Sequence, residues 1–251
     1  MENALRSSRK PRVAAFTPVF NEENHVGKVL DGLAAVVRDK IVDQVVVVDD
    51  GSTDRTPEIL RRYDFVRVVR HERRRGCGAA IRSALEALLP DGFDVAVPLA
   101  ANGKDDPAQI QRLLEPILAE EADYVQGSRF LRGGERTGLP WQRLLAMWFF
   151  VWMFRLFLWK WYTDCTNGFR AYRTTLLRDP RVDWRQAWLG NDYELEMYLH
   201  YQASALGYRV KEVPVSKVYR RAPGQSYSKA RLANWWTGLR TVIYLRFGFR
   251  R

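Results

Sequence analysis

The fold is decided by residues 45–56, which read VVVVDDGSTDRT. Four consecutive valines are typical of a parallel strand that is buried on both faces. The small polar residues after the strand predict a turn and then a helix capped by Thr53 or Asp54. That cap leaves Asp49 and Asp50 unexplained, because both precede the turn. Carboxylates are costly at the end of a buried strand unless they bind something, so these two are candidates for contact with a ribose, a base or a metal ion.

Around this stretch, short apolar runs alternate with segments of helical periodicity. The predicted strands are 12–17, 45–48, 65–69, 93–99 and 123–126, and the predicted helices are 22–38, 54–63, 78–89 and 107–120. This order predicts an α/β fold with a mostly parallel sheet and helices on both faces. Ligands of such sheets bind at the carboxyl ends of the strands. Polar clusters follow the strands at these ends, at residues 18–22, 49–53, 100–106 and 127–129.

The composition indicates a folded and strongly basic chain. Of 251 residues, 47% are hydrophobic, and 40 lysines and arginines against 29 acids give a net charge of +11. Such a surplus favours an anionic partner, namely a nucleotide diphosphate, a phospholipid surface or a nucleic acid, although a solvated basic surface also explains it. The basic residues are scattered and no recognition motif is present, so we expect no nucleic-acid partner. Cys77 and Cys165 lack metal-ligand spacing, which favours a reducing compartment.

The chain divides into three predicted parts. Residues 1–11 read as a basic tail without the apolar run of a signal peptide, 12–230 as one domain, and 231–251 as an amphipathic C-terminal helix. A further helix is predicted over 185–207 and a strand over 210–218.

Several short segments follow one another in an order that one family shares. They are FTPVFNEE (16–23), DDGSTD (49–54), RRRGCGAAIRSAL (73–85), NGKDDPAQI (102–110), YVQGSRFLRGG (124–134), TDCTNGFRAYR (163–173), YELEMY (193–198) and EVPVSKVYRRAPGQSYSK (212–229). Together they resemble the inverting glycosyltransferase family 2, which has the Rossmann-like GT-A fold. The last three are similar to motifs of dolichyl- and polyprenyl-phosphate sugar synthases. The resemblance implies transfer of a sugar from a UDP- or GDP-type nucleotide sugar to a polyprenyl-phosphate-like lipid.

The resemblance also implies roles for individual residues. Those on the nucleotide side are Pro18, Glu22, Asp49, Asp50, Gly78, Asn102 and Lys104. Those at the catalytic centre are Arg129, Arg143, Asp192 and Glu196. Those for the acceptor and its phosphate are Arg170, Arg220, Arg221 and Lys229. Guanidinium groups suit phosphates because they bind two oxygens at once, although any one arginine in so basic a chain is also explained as a surface charge.

A general base is needed only if the acceptor is a hydroxyl, because a lipid phosphate is already ionised. Glu196 matches the acceptor-side acid of the synthases in register, whereas a solvated helix face explains Glu194 equally well.

The metal motif of the family is altered in this chain. Where the family carries Asp-x-Asp for Mg²⁺ or Mn²⁺, this chain has Ala100 and Asn102. Alanine cannot ligate, and a neutral amide is a poor ligand for a hard dication. Three readings stay open: Asp105 or Asp106 recruits the metal, Lys104 and the arginines replace it, or the protein binds nucleotide sugars without transferring them. Asp105 and Asp106 also precede a proline and are suited to capping the next helix. We therefore expect an active enzyme with weak or absent dependence on Mg²⁺ or Mn²⁺.

Residues 141–162 read WQRLLAMWFFVWMFRLFLWKWY and hold five of the nine tryptophans. The most hydrophobic stretch, 144–154, is uncharged but too short to span a bilayer, which needs about 20 residues. Tryptophan beside arginine and lysine is typical of a helix in the membrane interface. A helix pair packed on the sheet or on another subunit explains the same pattern. We expect a cytoplasmic protein that is peripheral on the inner face of a membrane, with a membrane-anchoring subunit or a second copy as further partners.

Two rival functions stay open beside transfer to a lipid phosphate. The same donor site could serve a soluble or glycan hydroxyl acceptor, or the chain could be a catalytically silent nucleotide-sugar-binding relative.

Overall fold

A seven-stranded sheet forms the centre of the molecule. The computed structural model describes residues 9–219 and 232–249. The strands are β1 (Val13–Val19), β2 (Gln44–Asp49), β3 (Val66–Arg70), β4 (Val95–Pro98), β5 (Tyr124–Ser128), β6 (Arg170–Arg173) and β7 (Val210–Pro214). Their order in the sheet is β3-β2-β1-β4-β6-β5-β7. Strand β6 runs antiparallel to β4 and β5, and the other pairings are parallel. The expected mostly parallel sheet is therefore confirmed.

Helices pack on both faces of this sheet, as expected. They are α1 (Val26–Arg38), α2 (Thr56–Leu60), α3 (Cys77–Leu88), α4 (Ile110–Leu118), α5 (Trp141–Leu158), α6 (Thr175–Arg178), α7 (Glu194–Ala205) and α8 (Leu232–Arg246). Side chains alternate along each strand, so Ala15 joins the core under α1 and α4 while Phe16 joins the core under α3 and α7. Parallel strands covered in this way require apolar residues on both sides, which explains the valine run of β2.

A third apolar cluster joins α5, α7 and α8. It contains Phe150 and Phe154 of α5, Met197 of α7 and Val242 of α8. Within the described ranges, none of the helices combines the length and apolar character that crossing a bilayer requires.

Three local differences from the sequence-based expectations have physical causes. Strand β6 was not expected, because its four residues RAYR carry two arginines and lack an apolar run. Helix α2 begins at Thr56 instead of Asp54, since the Asp54 carboxylate accepts the Thr56 backbone N–H at 2.9 Å and ends the turn there. The helix expected from Pro107 is a 3₁₀ turn over Pro107–Gln109 that continues as α4.

Candidate active site

The loops after β1 and β2 are fastened side by side at the carboxyl edge of the sheet. The Asn21 N–H donates to Ser52 Oγ at 3.0 Å, and the Thr53 N–H donates to Asn21 Oδ1 at 2.9 Å. The Glu22 N–H donates to Thr56 Oγ1 at 2.9 Å. These bonds fix the direction in which Glu22 leaves the loop.

Asp50 organises the next loop. Its carboxylate oxygens accept backbone N–H groups from Arg75 and Gly76, each at 2.8 Å, and one of them lies 2.7 Å from Nδ1 of His71. Asp49 is also buried and accepts the backbone N–H three residues further on. Both carboxylates therefore lie at the strand end, as expected, but each has internal partners. Their contact with a nucleotide stays a prediction.

Two glycines allow the loop before α7 to dock on the start of α3. A Cβ at Gly76 would lie 2.4 Å from the Asn191 carbonyl oxygen, and one at Gly78 would lie 2.6 Å from that of Asp192. The Gly78 N–H donates to the Asn191 carbonyl at 2.6 Å. Any larger side chain would push the loops apart, and this close contact explains why residue 78 is a glycine. This docking brings Asp192, whose side chain is exposed, to the same edge as Asp50.

The loop after β4 has no free pair of carboxylates. Ala100 has no side-chain oxygen, and Asn102 Oδ1 accepts the Lys104 N–H at 3.3 Å. Asp105 is buried, accepts the Ala100 N–H at 3.0 Å and lies 2.7 Å from Nζ of Lys217. Asp106 is exposed and caps the following turn, as the alternative reading expected.

The residues of this loop do not fit Mg²⁺ or Mn²⁺, because such an ion needs one or two available carboxylates beside the substrate phosphates, whereas Asp105 is ion-paired and Asp106 caps a turn. Among the described residues, no group of three or more histidine, cysteine, aspartate or glutamate side chains is placed to hold a metal ion.

Arg129 lies inside the protein rather than in the open cleft. It is 2% exposed, and its Nε and Nη2 donate to the two oxygens of Asp164 at 2.7 and 2.8 Å. Nη1 donates to the Tyr219 hydroxyl, and Nη2 also donates to Thr166 Oγ1. Burial alone would raise the pKa of Asp164, but the charge and hydrogen bonds of Arg129 outweigh it and lower the pKa. Arg129 was expected at the catalytic centre, but all three nitrogens of its guanidinium have internal partners, and the group holds Tyr219 in place.

Lys104 and Arg143 lie on the ring of that tyrosine. Lys104 Nζ is 5.8 Å and the Arg143 guanidinium 5.5 Å from the Tyr219 ring centroid. Both side chains are half-buried. Burial lowers the pKa of Lys104, and the charges of Lys217 and Arg143 lower it further, with Glu22 and Asp105 opposing. Within residues 9–219 and 232–249, neither Lys104 nor Arg143 has a carboxylate within 4 Å. We name these two residues the cation pair.

Arg170 is also buried, at 2% exposed, and it is not at the surface of the cleft. It donates to the Tyr124 hydroxyl at 2.7 Å and to the carbonyls of Glu196 and Asn167 at 2.9 and 2.6 Å. The Glu196 carboxylate lies 3.8 Å from Arg170 and is 15% exposed. Arg170 therefore differs from its expected role at the acceptor phosphate, whereas Glu196 retains a partly exposed carboxylate.

The reading of Glu194 as part of a solvated helix face is wrong. Glu194 is 2% exposed, and one carboxylate oxygen accepts a bond from Arg240 of α8 at 3.3 Å. The acid fastens the C-terminal helix to α7, a contact over 46 residues that the local sequence does not reveal.

Sequence reasoning also missed Tyr219, Asp164 and Lys217 as site residues. Each acts through a partner more than 30 residues away in the chain, and only the presence of 163–173 and 212–229 among the matched segments hinted at them. Arg220, Arg221 and Lys229, expected at the acceptor phosphate, lie outside the described residues.

The outward side of α5 is a continuous aromatic and apolar surface. We call it the aromatic face, and its residues are Trp141, Leu145, Trp148, Phe149, Trp152, Leu156 and Trp159. They recur at helical spacing, and each is between 45% and 84% exposed. Phe247 and Phe249, after α8, are also exposed, and the Phe247 ring lies 6.1 Å from that of Phe157. Arg143 of the cation pair belongs to the same helix.

A cavity of about 630 Å³ lies at the opposite, amino-terminal edge of the parallel strands. Its acids Asp94 and Asp179 are paired with the neighbouring Arg9 and Arg181, so it offers little unpaired charge to a ligand. The candidate site is therefore at the carboxyl edge, where ligands of parallel sheets bind.

Comparison with known proteins identifies the family of this chain. The family model Glycosyl transferase family 2 matches residues 15–179. The undecaprenyl-phosphate mannosyltransferase of Micrococcus luteus is 32% identical, over 83% of this chain and 84% of that protein. The polyprenol monophosphomannose synthase of Mycolicibacterium smegmatis is 31% identical, over 82% of this chain and 77% of that protein.

A solved structure shares the fold. Glucosyl-3-phosphoglycerate synthase from Mycobacterium tuberculosis, in complex with UDP, superposes with a TM-score of 0.69 at 22% identity, over 99% of this chain and 83% of that one. Another complex of the same synthase contains Mn²⁺, UDP and phosphoglyceric acid. The family match covers more than half of the sequence, and each of the two relatives covers more than four fifths of it. This chain is therefore an enzyme that belongs to glycosyltransferase family 2.

Proposed function

We propose that the protein is an inverting glycosyltransferase that moves a sugar from a UDP- or GDP-type nucleotide sugar to a polyprenyl-phosphate-like lipid at a membrane surface. One observation carries this proposal: Arg143 belongs both to the cation pair and to the helix that bears the aromatic face. A site for phosphate and a surface suited to lipid therefore meet on one element. Two relatives are named as an undecaprenyl-phosphate mannosyltransferase and a polyprenol monophosphomannose synthase, which supports the same acceptor class.

The donor belongs at the carboxyl ends of β1, β2 and β4. Pro18, Glu22, Asp49, Asp50 and Asn102 lie at or just after these ends. We assign the base and ribose to Pro18, Glu22 and Asp50. Asp50 acts in part through the loop that its carboxylate holds. The diphosphate is assigned to the side of the cleft where Lys104 lies, because an anion is stabilised there by fixed positive charge.

The reaction is a single displacement. An ionised oxygen of the lipid phosphate attacks the anomeric carbon and forms the new carbon–oxygen bond. The bond from that carbon to the diphosphate breaks, and its electron pair leaves with the nucleoside diphosphate. No proton has to be removed from the acceptor, so this route needs no general base. Attack opposite to the leaving group inverts the anomeric centre.

The acceptor is assigned to the side of the aromatic face. Tryptophan rings are stable at headgroup depth, and cations beside them bind lipid phosphates. Arg155 stacks on Trp161 at 3.9 Å next to this face, and the chain carries a net charge of +11. These features favour a peripheral location on an anionic membrane, with Arg220, Arg221 and Lys229 as further candidates for phosphate contacts.

Vesicle co-sedimentation tests the membrane part of the proposal. The double variant Trp148→Glu/Trp152→Glu removes two exposed rings, and we expect membrane partition on vesicles containing phosphatidylglycerol to fall by about tenfold or more. Leu118→Glu, at an exposed position of α4, is the matched control and should bind like the wild type. Equal binding of the double variant and the control would contradict a membrane role for α5.

Transfer into undecaprenyl phosphate tests the reaction. A panel of UDP-glucose, UDP-N-acetylglucosamine and GDP-mannose, each labelled in the sugar, is incubated with lipid vesicles, and label in the organic phase is counted. We expect label from at least one donor. Transfer only to water-soluble hydroxyl acceptors would instead favour the rival acceptor class and a role for Glu196 as base, and donor binding without any transfer would favour the silent relative.

A further inference from the structure

We infer that Lys104 and Arg143 neutralise the donor diphosphate in place of a divalent metal ion, so that this enzyme binds and uses its donor without metal. This inference rests on the proposed function and names the charge that its donor site supplies.

The two acids of the loop after β4 have other partners. Asp105 is held between Nζ of Lys217 at 2.7 Å and the Ala100 N–H at 3.0 Å. Asp106 caps a turn through its bond to the Ala108 N–H at 3.1 Å. A metal ion recruited to Asp105 would have to displace a buried lysine, which would leave that ammonium without its carboxylate. The loop after β4 therefore presents positive charge, and not a metal-binding pair of carboxylates.

The cation pair has the opposite property, because its charges lack an internal carboxylate partner among the described residues. Lys104 and Arg143 are half-buried on the same aromatic ring, and each raises the electrostatic cost of the other. Two like charges brought together at partial burial are unfavourable unless an anion lies between or beside them. Buried residues fix the ring on which the two cations lie: Asp164 pairs with Arg129, and Arg129 donates to the Tyr219 hydroxyl.

The geometry of the cation pair favours a diphosphate over a single phosphate group. An ammonium group provides a compact positive charge, and a guanidinium group binds two oxygens in one plane. Negative charge grows on the leaving diphosphate as the sugar bond breaks, so cations fixed in advance stabilise that change more than the bound substrate. The charge of Glu22, which is assigned to the nucleotide, opposes the lowering of the Lys104 pKa.

Calorimetry with UDP, GDP, UMP and GMP tests the inference, each with EDTA and with Mn²⁺. We expect at least one nucleoside diphosphate to bind the wild type equally well under both conditions, and more tightly than its monophosphate. Lys104→Met and Arg143→Met should each weaken diphosphate binding by roughly tenfold to a hundredfold. In both variants the preference for diphosphate over monophosphate should shrink.

The controls separate the effect of position from that of net charge. Lys28→Met in α1 and Arg112→Met in α4 remove one exposed charge of the same type, and both should bind like the wild type. Lys104→Arg keeps the charge and should retain most of the affinity. Melting temperatures of all variants show whether the fold is intact.

The outcomes distinguish the inference from the function on which it rests. Binding by the wild type only with Mn²⁺ would overturn the inference and leave the proposed function standing. Binding in EDTA that Lys104→Met and Arg143→Met do not weaken would overturn the assignment of these residues. Binding of no nucleotide in either condition would overturn the proposed function itself.

Discussion

Two kinds of basic side chain contact Tyr219, and they differ in burial and in partners. Arg129 is almost fully buried and forms paired bonds to Asp164, whereas Lys104 and Arg143 are half-buried and have no carboxylate partner in the part of the chain that the structure describes. The first kind of cation maintains the structure, and the second kind is available to a ligand. The residue type alone does not separate them, because both groups resemble phosphate-binding residues in the sequence.

The largest expected effect is on the buried pair. Asp164→Asn leaves the Arg129 guanidinium buried without its counter-charge, and we expect a loss of about 3–5 kcal/mol in the free energy of unfolding. For a chain of this length that corresponds to a melting temperature lower by roughly 6 to 20 °C. Thermal denaturation followed by circular dichroism measures the change. A variant that melts like the wild type would show that the pair does not hold the site together.

The next effect concerns Lys217, which belongs to the paired group although it lies beside the cation pair. Lys217→Met leaves Asp105 buried without its ion pair and Asn167 without the bond that it accepts at 2.8 Å. We expect a loss of about 1–3 kcal/mol in the free energy of unfolding, measured by urea denaturation. Asp105→Asn combined with Lys217→Met should recover part of this loss. If Lys217→Met unfolded with the same free energy as the wild type, Lys217 would belong with the cation pair and not with the ion-paired residues.

Both interactions illustrate why the sequence predicts the scaffold better than the site. The valine run, the strand-end polar clusters and the cap at Asp106 depend on neighbours in the chain, and these expectations are confirmed. The Arg129–Asp164 pair joins residues 35 positions apart, and a single sequence carries no mark of such pairing.

Buried polar residues were also mispredicted because their partners come from distant parts of the chain. Strand β6 was missed because its arginines find partners only in the folded sheet. Glu194 was misread because Arg240 reaches it from another helix. Tyr219 was missed because this tyrosine gains its role from Arg129, Lys104 and Arg143, which are all far from it in the chain.

The pH dependence of diphosphate binding sharpens the comparison further. The pKa of Lys104 is lowered by burial and by the facing charges of Lys217 and Arg143, against Glu22 and Asp105. Binding requires the protonated ammonium, so affinity should fall as pH rises through this lowered pKa, earlier than for an ordinary lysine. Calorimetry with UDP or GDP between pH 7.5 and roughly 10, where the phosphates are fully ionised, measures it. The Lys104→Arg variant should show a flatter profile, because arginine keeps its charge there. Identical profiles would contradict the role of the lysine.

The smallest effect is the stability of Lys104→Met itself. Because Lys104 has like charges near it and no carboxylate partner among the described residues, its removal should change the free energy of unfolding by no more than about 0.5 kcal/mol or raise it slightly. A clear loss of stability would place Lys104 with the structural cations and remove the distinction between the two groups.

The most direct test of the whole account is sugar transfer to undecaprenyl phosphate in vesicles, measured in EDTA and again with excess Mn²⁺ across the panel of nucleotide sugars. The account predicts transfer from at least one donor in EDTA, at a rate that Mn²⁺ changes by less than about twofold, because fixed cations already neutralise the leaving diphosphate. Transfer that appears only with Mn²⁺, or no transfer to the lipid from any donor, would contradict it.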